Sequence, residues 1–97
     1  MIYQLHPQAA EEHERQVAYY ENEQRGLGQR YHEEFKAAVA VACETPQRPR
    51  VIHAPDIRSV RFKIFHFSII YREASGMVQV LAVAHHRRQP GYWVSRR

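Results

Sequence analysis

The sequence has few of the features that mark a secreted or membrane-bound protein. Its one cysteine, Cys43, excludes an internal disulfide and is typical of a protein kept in a reducing compartment. No stretch approaches the ~20 consecutive apolar residues that a membrane-spanning helix needs. The chain reaches His6 and Pro7 without the long apolar segment of a secretory signal peptide. We therefore expect a cytoplasmic location and no membrane partner.

Acidic residues are nearly absent from the second half of the chain. Residues 46–97 carry ten Lys or Arg against Asp56 and Glu73, a net charge of +8, whereas residues 1–45 have a net charge of −4. With 97 residues, of which 44% are hydrophobic, the chain is predicted to be one domain, 1–97, too small for a deep cleft. One strongly basic half favours an acidic partner: nucleic acid bound weakly and without sequence preference, an acidic protein segment, or both.

The acidic half has the pattern of two helices joined by a short link. Pro7 suits the first turn of a helix, where a missing N–H costs nothing, and Gly26 is predicted to end this helix in a left-handed conformation. The helical period resumes at once and continues until Pro46. Residues predicted to face the core recur at helical spacing: Ala10, His13, Val17 and Tyr20 on the first helix, and Leu27, Tyr31, Phe35, Ala38, Val39 and Ala42 on the second. So short a link predicts a helical hairpin.

The basic half has the pattern of a sheet. Alternation or short apolar runs predict strands at residues 2–5, 58–64, 67–72 and 78–84, the last of them buried in the centre of the sheet. Three prolines make residues 45–56 an extended connection rather than an element. The order β-α-α-β-β-β predicts an α+β fold, with the helical hairpin packed on one face of a small, mainly antiparallel sheet of about four strands. The other face is predicted to be basic and partly open, carrying Arg61 and Lys63, and a basic C-terminal tail follows the sheet.

Side chains capable of chemistry follow the last predicted strand directly. They are His85, His86, Arg87 and Arg88, and a Gln-Pro-Gly turn and the pair Tyr92-Trp93 come next. Neighbouring residues on a strand point to opposite faces, so the two histidines are not expected to share a metal ion. We expect no metal and no other cofactor.

The tail beyond this strand has only two large apolar side chains, Tyr92 and Trp93. We predict that they hold the tail against the sheet or the helical hairpin, so that Arg87 and Arg88 are presented at a fixed place. The alternative is that the rings contact a partner directly, since Trp and Tyr are enriched at the energetic centres of interfaces. Residues 94–97 are expected to matter least for stability and activity.

Five segments, in this order and spacing, carry a family resemblance. They are Tyr19-Tyr20, Gly26-Leu27-Gly28, the Arg-Ser-Val-Arg of residues 58–61, the Ile-Tyr-Arg of residues 70–72, and AVAHHRRQPGYW at residues 82–93. The sequence resembles the RelE/ParE superfamily of toxins from bacterial type II toxin–antitoxin systems, and the first, second and last segments are more ParE-like. The resemblance implies a toxin that arrests growth and is neutralised by an antitoxin encoded beside it. A ParE-like member implies inhibition of DNA gyrase without catalytic residues of its own.

Two alternatives stay open. A RelE-like member would be a ribosome-dependent, metal-independent mRNA endonuclease, and matching that branch gives Arg61, Lys63, His86 and Tyr92 as catalytic candidates. Ser68 stands where that branch places an arginine, which removes a cation expected to stabilise the phosphorane. The second alternative is a non-toxic member that only binds its antitoxin.

Binding to a target or to an antitoxin is predicted to involve basic and aromatic residues of the sheet and the tail. They are Arg58, Arg61, Lys63, Arg72, His85, Arg87, Arg88 and Trp93. The resemblance is compatible with a homodimer and with a toxin–antitoxin hetero-oligomer.

Overall fold

Two helices form the acidic half of the chain in the computed structural model, which describes Met1–Arg97. α1 spans Pro7–Glu23 and α2 spans Leu27–Glu44. Pro7 lies in the first turn, as predicted, and the Nδ1 atom of His6 caps the helix by accepting the N–H of Gln8 at 3.1 Å. Neither helix is both long and apolar enough to span a membrane.

The link between the helices needs glycine for two separate reasons. Gly26 has φ +88°, the left-handed region, but it precedes α2 instead of ending α1, which is followed by an extended Gln24. A Cβ atom on Gly28 would lie 2.5 Å from the backbone oxygen of Val17, so the helices pack closely here. The Glu21 carboxylate accepts the N–H groups of both glycines at 3.0 and 3.1 Å and favours the N-terminus of α2. These contacts fix the predicted hairpin.

The basic half folds into one five-stranded sheet. Its strands are β1 (Tyr3–Leu5), β2 (Val51–His53), β3 (Ile57–Arg61), β4 (Phe67–Ala74) and β5 (Met77–His85), and a short 3₁₀ helix, Val94–Arg96, follows. The spatial order is β1-β5-β4-β3-β2. β1 runs parallel to β5 and the other pairs are antiparallel. The α+β fold, the mainly antiparallel sheet and the position of β5 between two neighbours are therefore confirmed.

The segment at residues 45–56 contains a strand that the sequence analysis did not predict. Val51 pairs with Arg58 and His53 pairs with Ile57, with an irregularity between them, so β2 forms the outer edge of the sheet. The prolines that flank it argued against a strand, but an edge strand pairs on one side only and tolerates them. The sheet thus has one more strand than predicted.

β3 is shorter than predicted, because the chain leaves the sheet after Arg61. Phe62 stays in the core, but Ile64 is 65% exposed, and Lys63 lies in the β3–β4 connection instead of on a strand. Glu34 on α2 accepts the backbone N–H of Ile64 at 2.9 Å and draws this connection toward the helix. The predicted alternation through Ile64 is therefore wrong.

The main core lies between the helical hairpin and one face of the sheet. α2 and β4 supply most of its large buried side chains, and the α2 residues were predicted: Tyr31, Phe35, Phe67, Ile69 and Tyr71. On α1 the most buried small residue is Ala9, not Ala10, because the face of the helix that packs into the core is rotated by one position from the predicted face. The same rotation places Glu12 in the interior.

A second, smaller core covers the face that was predicted to be open. Trp93 packs there against β3, β4 and β5, in a cluster completed by Ile57, Ile70, Leu81 and Ala82. Two consecutive β5 residues face this side because a β-bulge shifts the register: Ile70 pairs with Ala82, whereas Tyr71 pairs with Val80. The basic face predicted from Arg61 and Lys63 is therefore largely an apolar face that the tail covers.

Candidate functional site

The end of β5 places its two histidines on opposite faces of the sheet, as predicted. His85 pairs with Phe67 and presents its ring to the edge of that phenyl ring, at a centroid distance of 4.9 Å. On the other face, His86 Nε2 and Ser68 Oγ are hydrogen-bonded at 3.0 Å. In no part of the chain do three or more His, Cys, Asp or Glu side chains form a group that could hold a metal ion.

His86 lies near Arg61, the last residue of β3. Ser68 pairs across the strands with Arg61, so both side chains lie near the His86 ring. Partial burial, followed by the charge of Arg61, lowers the pKa of His86 below the ordinary imidazole value. The lowered pKa favours the neutral form of the His86 imidazole.

Tyr92 is held by two arginines and is not free to act as an acid or base. The guanidinium carbon of Arg88 lies 3.6 Å from the ring centroid, and that of Arg96 lies 5.0 Å away. The Tyr92 hydroxyl is buried and has no hydrogen-bond partner of good geometry. Burial, followed by the nearby Glu12 carboxylate, raises the pKa of Tyr92 to about 12. Its place in the structure is to support the tail.

A buried ion pair, which sequence analysis missed, ties the tail to α1. Glu12 Oε2 accepts from Arg96 Nη2 at 2.9 Å, and the two side chains are 9% and 8% exposed. Glu12 Oε1 accepts the backbone N–H of Val83 at 3.0 Å, and Arg96 Nη1 donates to the Leu81 oxygen at 3.0 Å. Arg88 adds a weaker contact to Glu12 at 3.5 Å. One sequence signal was available: Glu12 is three residues from Ala9 and one from His13, on the buried side of α1.

Trp93 is the apolar anchor of the tail, as predicted. The Trp93 side chain is part of the second core, and the residue is 5% exposed. The His53 ring lies edge-on to it, with the ring centroids 5.8 Å apart. Little of the Trp93 ring is accessible in this structure, and the ring anchors the tail on the sheet.

Besides Arg88, which contacts Glu12 and the Tyr92 ring, two of the predicted binding arginines are occupied by contacts within the chain. Arg58 donates to the backbone oxygens of Gln47 and Pro49 and so pins the α2–β2 connection. Arg72 forms an ion pair with Asp56 at 3.3 Å. These two arginines hold the connections at the sheet edge in place. Their charges are therefore less available to a partner than the charges of exposed arginines that form no ion pair.

Three cationic side chains at one end of the sheet are exposed and form no ion pair. They are Arg61, Lys63 and Arg87. Arg61 and Lys63 also border a cavity of about 220 Å³ between α2 and β3, whose floor is apolar and includes Val41 and Phe62. This end of the molecule therefore combines unpaired positive charge with an accessible apolar groove.

The four RelE-like candidates do not line a single cavity. His86 and Tyr92 line a groove of about 170 Å³ between the sheet and the tail, together with Ser68 and Trp93. Lys63 borders the separate groove next to α2. His86 has the protonation chemistry of a general base, but the Tyr92 hydroxyl is buried and Ser68 brings no cation. The arrangement offers more for binding than for acid–base catalysis.

Comparisons with known proteins agree with this fold. The family described as "ParE toxin of type II toxin-antitoxin system, parDE" matches residues 3–90. No curated protein sequence matches the chain. Among solved structures, a chain of the "Chromosomal ParDE TA system from P. aeruginosa" superposes with a TM-score of 0.64 at 16% identity, covering 88% of this chain and 95% of that one. At this identity the structural likeness establishes the fold alone.

Proposed function

Because the chain belongs to the ParE toxin family of type II toxin–antitoxin systems, we propose that it inhibits DNA gyrase by binding and that a cognate antitoxin neutralises it. The observation that carries the binding mechanism is the state of the tail. Trp93 and the Glu12–Arg96 ion pair hold the tail on the sheet, while the Arg87 side chain is left exposed and unpaired. A side chain presented in this way can bind, because little ordering remains to be done when a partner arrives.

The groove between α2 and β3 supports neutralisation by an antitoxin with an acidic, amphipathic segment. Its apolar floor can receive the apolar face of such a segment, while Arg61 and Lys63 at its border attract the acidic face. Ile64, which is 65% exposed next to Lys63, extends the apolar surface beyond the groove. Two carboxylates also border the groove, and both have contacts within the chain: Glu33 is paired with Lys36 at 3.2 Å, and Glu34 accepts the backbone N–H of Ile64 at 2.9 Å.

A second candidate function is cleavage of ribosome-bound mRNA. The observation in its favour is the neutral His86 beside Arg61, a base next to a cation. The observations against it are the serine at position 68 and the unavailable hydroxyl of Tyr92. A non-toxic protein that only binds its antitoxin is the third outcome to distinguish.

Induction of the chain in bacteria, with plasmid supercoiling and transcript integrity followed side by side, distinguishes the three functions. Gyrase inhibition predicts relaxed or broken DNA with intact transcripts. Cut transcripts with normal supercoiling would establish the ribonuclease instead, and undisturbed growth would establish the non-toxic member. The variant Arg87→Gln should relieve the effect, whereas Arg50→Gln, at another exposed arginine without an ion pair, should not.

A further inference from the structure

A cavity at the end of the sheet is lined entirely by basic or protonatable side chains. It has a volume of about 330 Å³ and is lined by His66, His85, His86 and Arg87. No carboxylate and no apolar side chain lines it. The centroids of the His66 and His86 rings lie 6.2 Å apart, and the ring planes are tilted by 74°. It adjoins the groove under the tail, which His85 and His86 also line and where Tyr92 and Trp93 lie.

The positive charge at this cavity is not neutralised within the chain. Some other arginines of the basic half have acidic partners: Arg72 pairs with Asp56, and Arg96 pairs with Glu12. Arg87 forms no ion pair. A cavity lined by an arginine and three protonatable rings, with no carboxylate, favours binding of an anion.

We propose that this cavity binds a phosphate group, as the free anion or as part of a nucleic-acid backbone. The Arg87 guanidinium supplies a planar pair of donors that matches two phosphate oxygens. In neutral His85, Nδ1 accepts the backbone N–H of Arg87 at 3.0 Å, which leaves the proton on Nε2 as a donor. His66 has no side-chain hydrogen bond that would have to be broken, and the cavity has room for the phosphate and several waters.

Binding at this cavity is coupled to protonation. The titratable and charged groups that face His86 are Arg61 on β3, His66 in the β3–β4 connection and His85 on β5. All of them are cationic or become cationic on protonation, so they oppose charging of His86 when the cavity is empty, and its pKa is lowered by burial and by Arg61. A bound phosphate favours the protonated form of the histidines, so phosphate binding is accompanied by proton uptake. For a phosphodiester, which keeps one negative charge throughout, affinity should therefore rise as the pH falls from about 8 to about 6.

The test is a titration of the histidine ring resonances with inorganic phosphate, at constant ionic strength and at about pH 6 and about pH 8. Phosphate should shift the ring resonances of His66, His85 and His86 along one saturable curve at either pH. Arg87→Gln should weaken binding by about tenfold, the effect of losing one charge-assisted hydrogen bond. Arg50→Gln removes an exposed arginine that does not line the cavity and should change binding little. Thermal melting of both variants checks that they stay folded.

The source of the phosphate group follows from repeating the titration with a short single-stranded DNA. If Arg87→Gln weakens this binding as it weakens phosphate binding, the site accepts a nucleic-acid backbone; if only inorganic phosphate responds, the ligand is the free anion. Either result supports the phosphate site. Phosphate that leaves the three rings unshifted, or binding that Arg87→Gln and Arg50→Gln weaken equally, would overturn it. The result does not depend on the proposed target, because no gyrase is present.

Discussion

Replacing Glu12 by glutamine should strongly destabilise the fold. The Glu12 and Arg96 side chains are 9% and 8% exposed, so the change leaves a buried guanidinium without its counter-charge. Removing one partner of a buried ion pair costs about 3–5 kcal/mol. The lower value is appropriate here, since the amide oxygen of glutamine can still accept the N–H of Val83. A loss of about 3 kcal/mol corresponds to a melting temperature lower by roughly 12–24 °C in a domain of this size.

The assay is thermal melting of a double-mutant cycle made of Glu12→Gln, Arg96→Met and the combination. Arg96→Met keeps the apolar stem of the side chain and removes the charge. The combined variant should lose about 1–3 kcal/mol less than the sum of the single changes, because the two residues share one contact. Glu11→Gln, at an exposed neighbour on the same helix, is the control and should change stability by less than about 0.5 kcal/mol. Additive losses, or a Glu12→Gln variant that melts with the parent, would refute the role of this ion pair.

Three further variants test other parts of the structure by thermal melting. Trp93→Ala leaves a cavity in the second core, so it should lower the free energy of unfolding by about 3–5 kcal/mol and abolish inhibition of gyrase as well. If the variant melts like the parent but is inactive, the ring contacts the target. Gly28→Ala should cost about 1–3 kcal/mol, since the new Cβ would lie 2.5 Å from the Val17 oxygen; a neutral result would mean that the helices can move apart. His13 should make the fold acid-sensitive, because burial, followed by the charge of His32, lowers its pKa from 6.5 to about 4. Unfolded chains bind more protons in that range, so up to about 3 kcal/mol of stability should be lost as the pH falls from 6.5 to 4, and His13→Gln should remove most of this dependence.

Sequence analysis succeeded where the deciding interactions are local. The helical hairpin follows from helical periodicity and two glycines, and the opposite directions of His85 and His86 follow from the geometry of a strand. The burial of Trp93 could be predicted because the tail has so few other apolar side chains. Each of these inferences needs only residues that are close together in the sequence.

The features that the sequence did not reveal depend on distant contacts. Glu12 and Arg96 are 84 residues apart, and nothing in either segment indicates that they meet. The bulge at Leu81 turns two successive residues of β5 to one face, which a strict alternation cannot express. For this reason the apolar character of the second face was missed, and residues 94–97 were expected to matter least. The buried ion pair argues against that expectation, because deleting these residues removes Arg96 and should cost as much stability as Glu12→Gln.

The most direct test of the proposed function is a supercoiling assay with purified DNA gyrase and the purified chain. Inhibition by binding predicts that the parent protein blocks supercoiling, that His86→Ala blocks it equally well, and that Arg87→Gln blocks it much less while melting like the parent. Full supercoiling in the presence of excess folded protein would contradict the proposal. So would inhibition that disappears in His86→Ala but persists in Arg87→Gln.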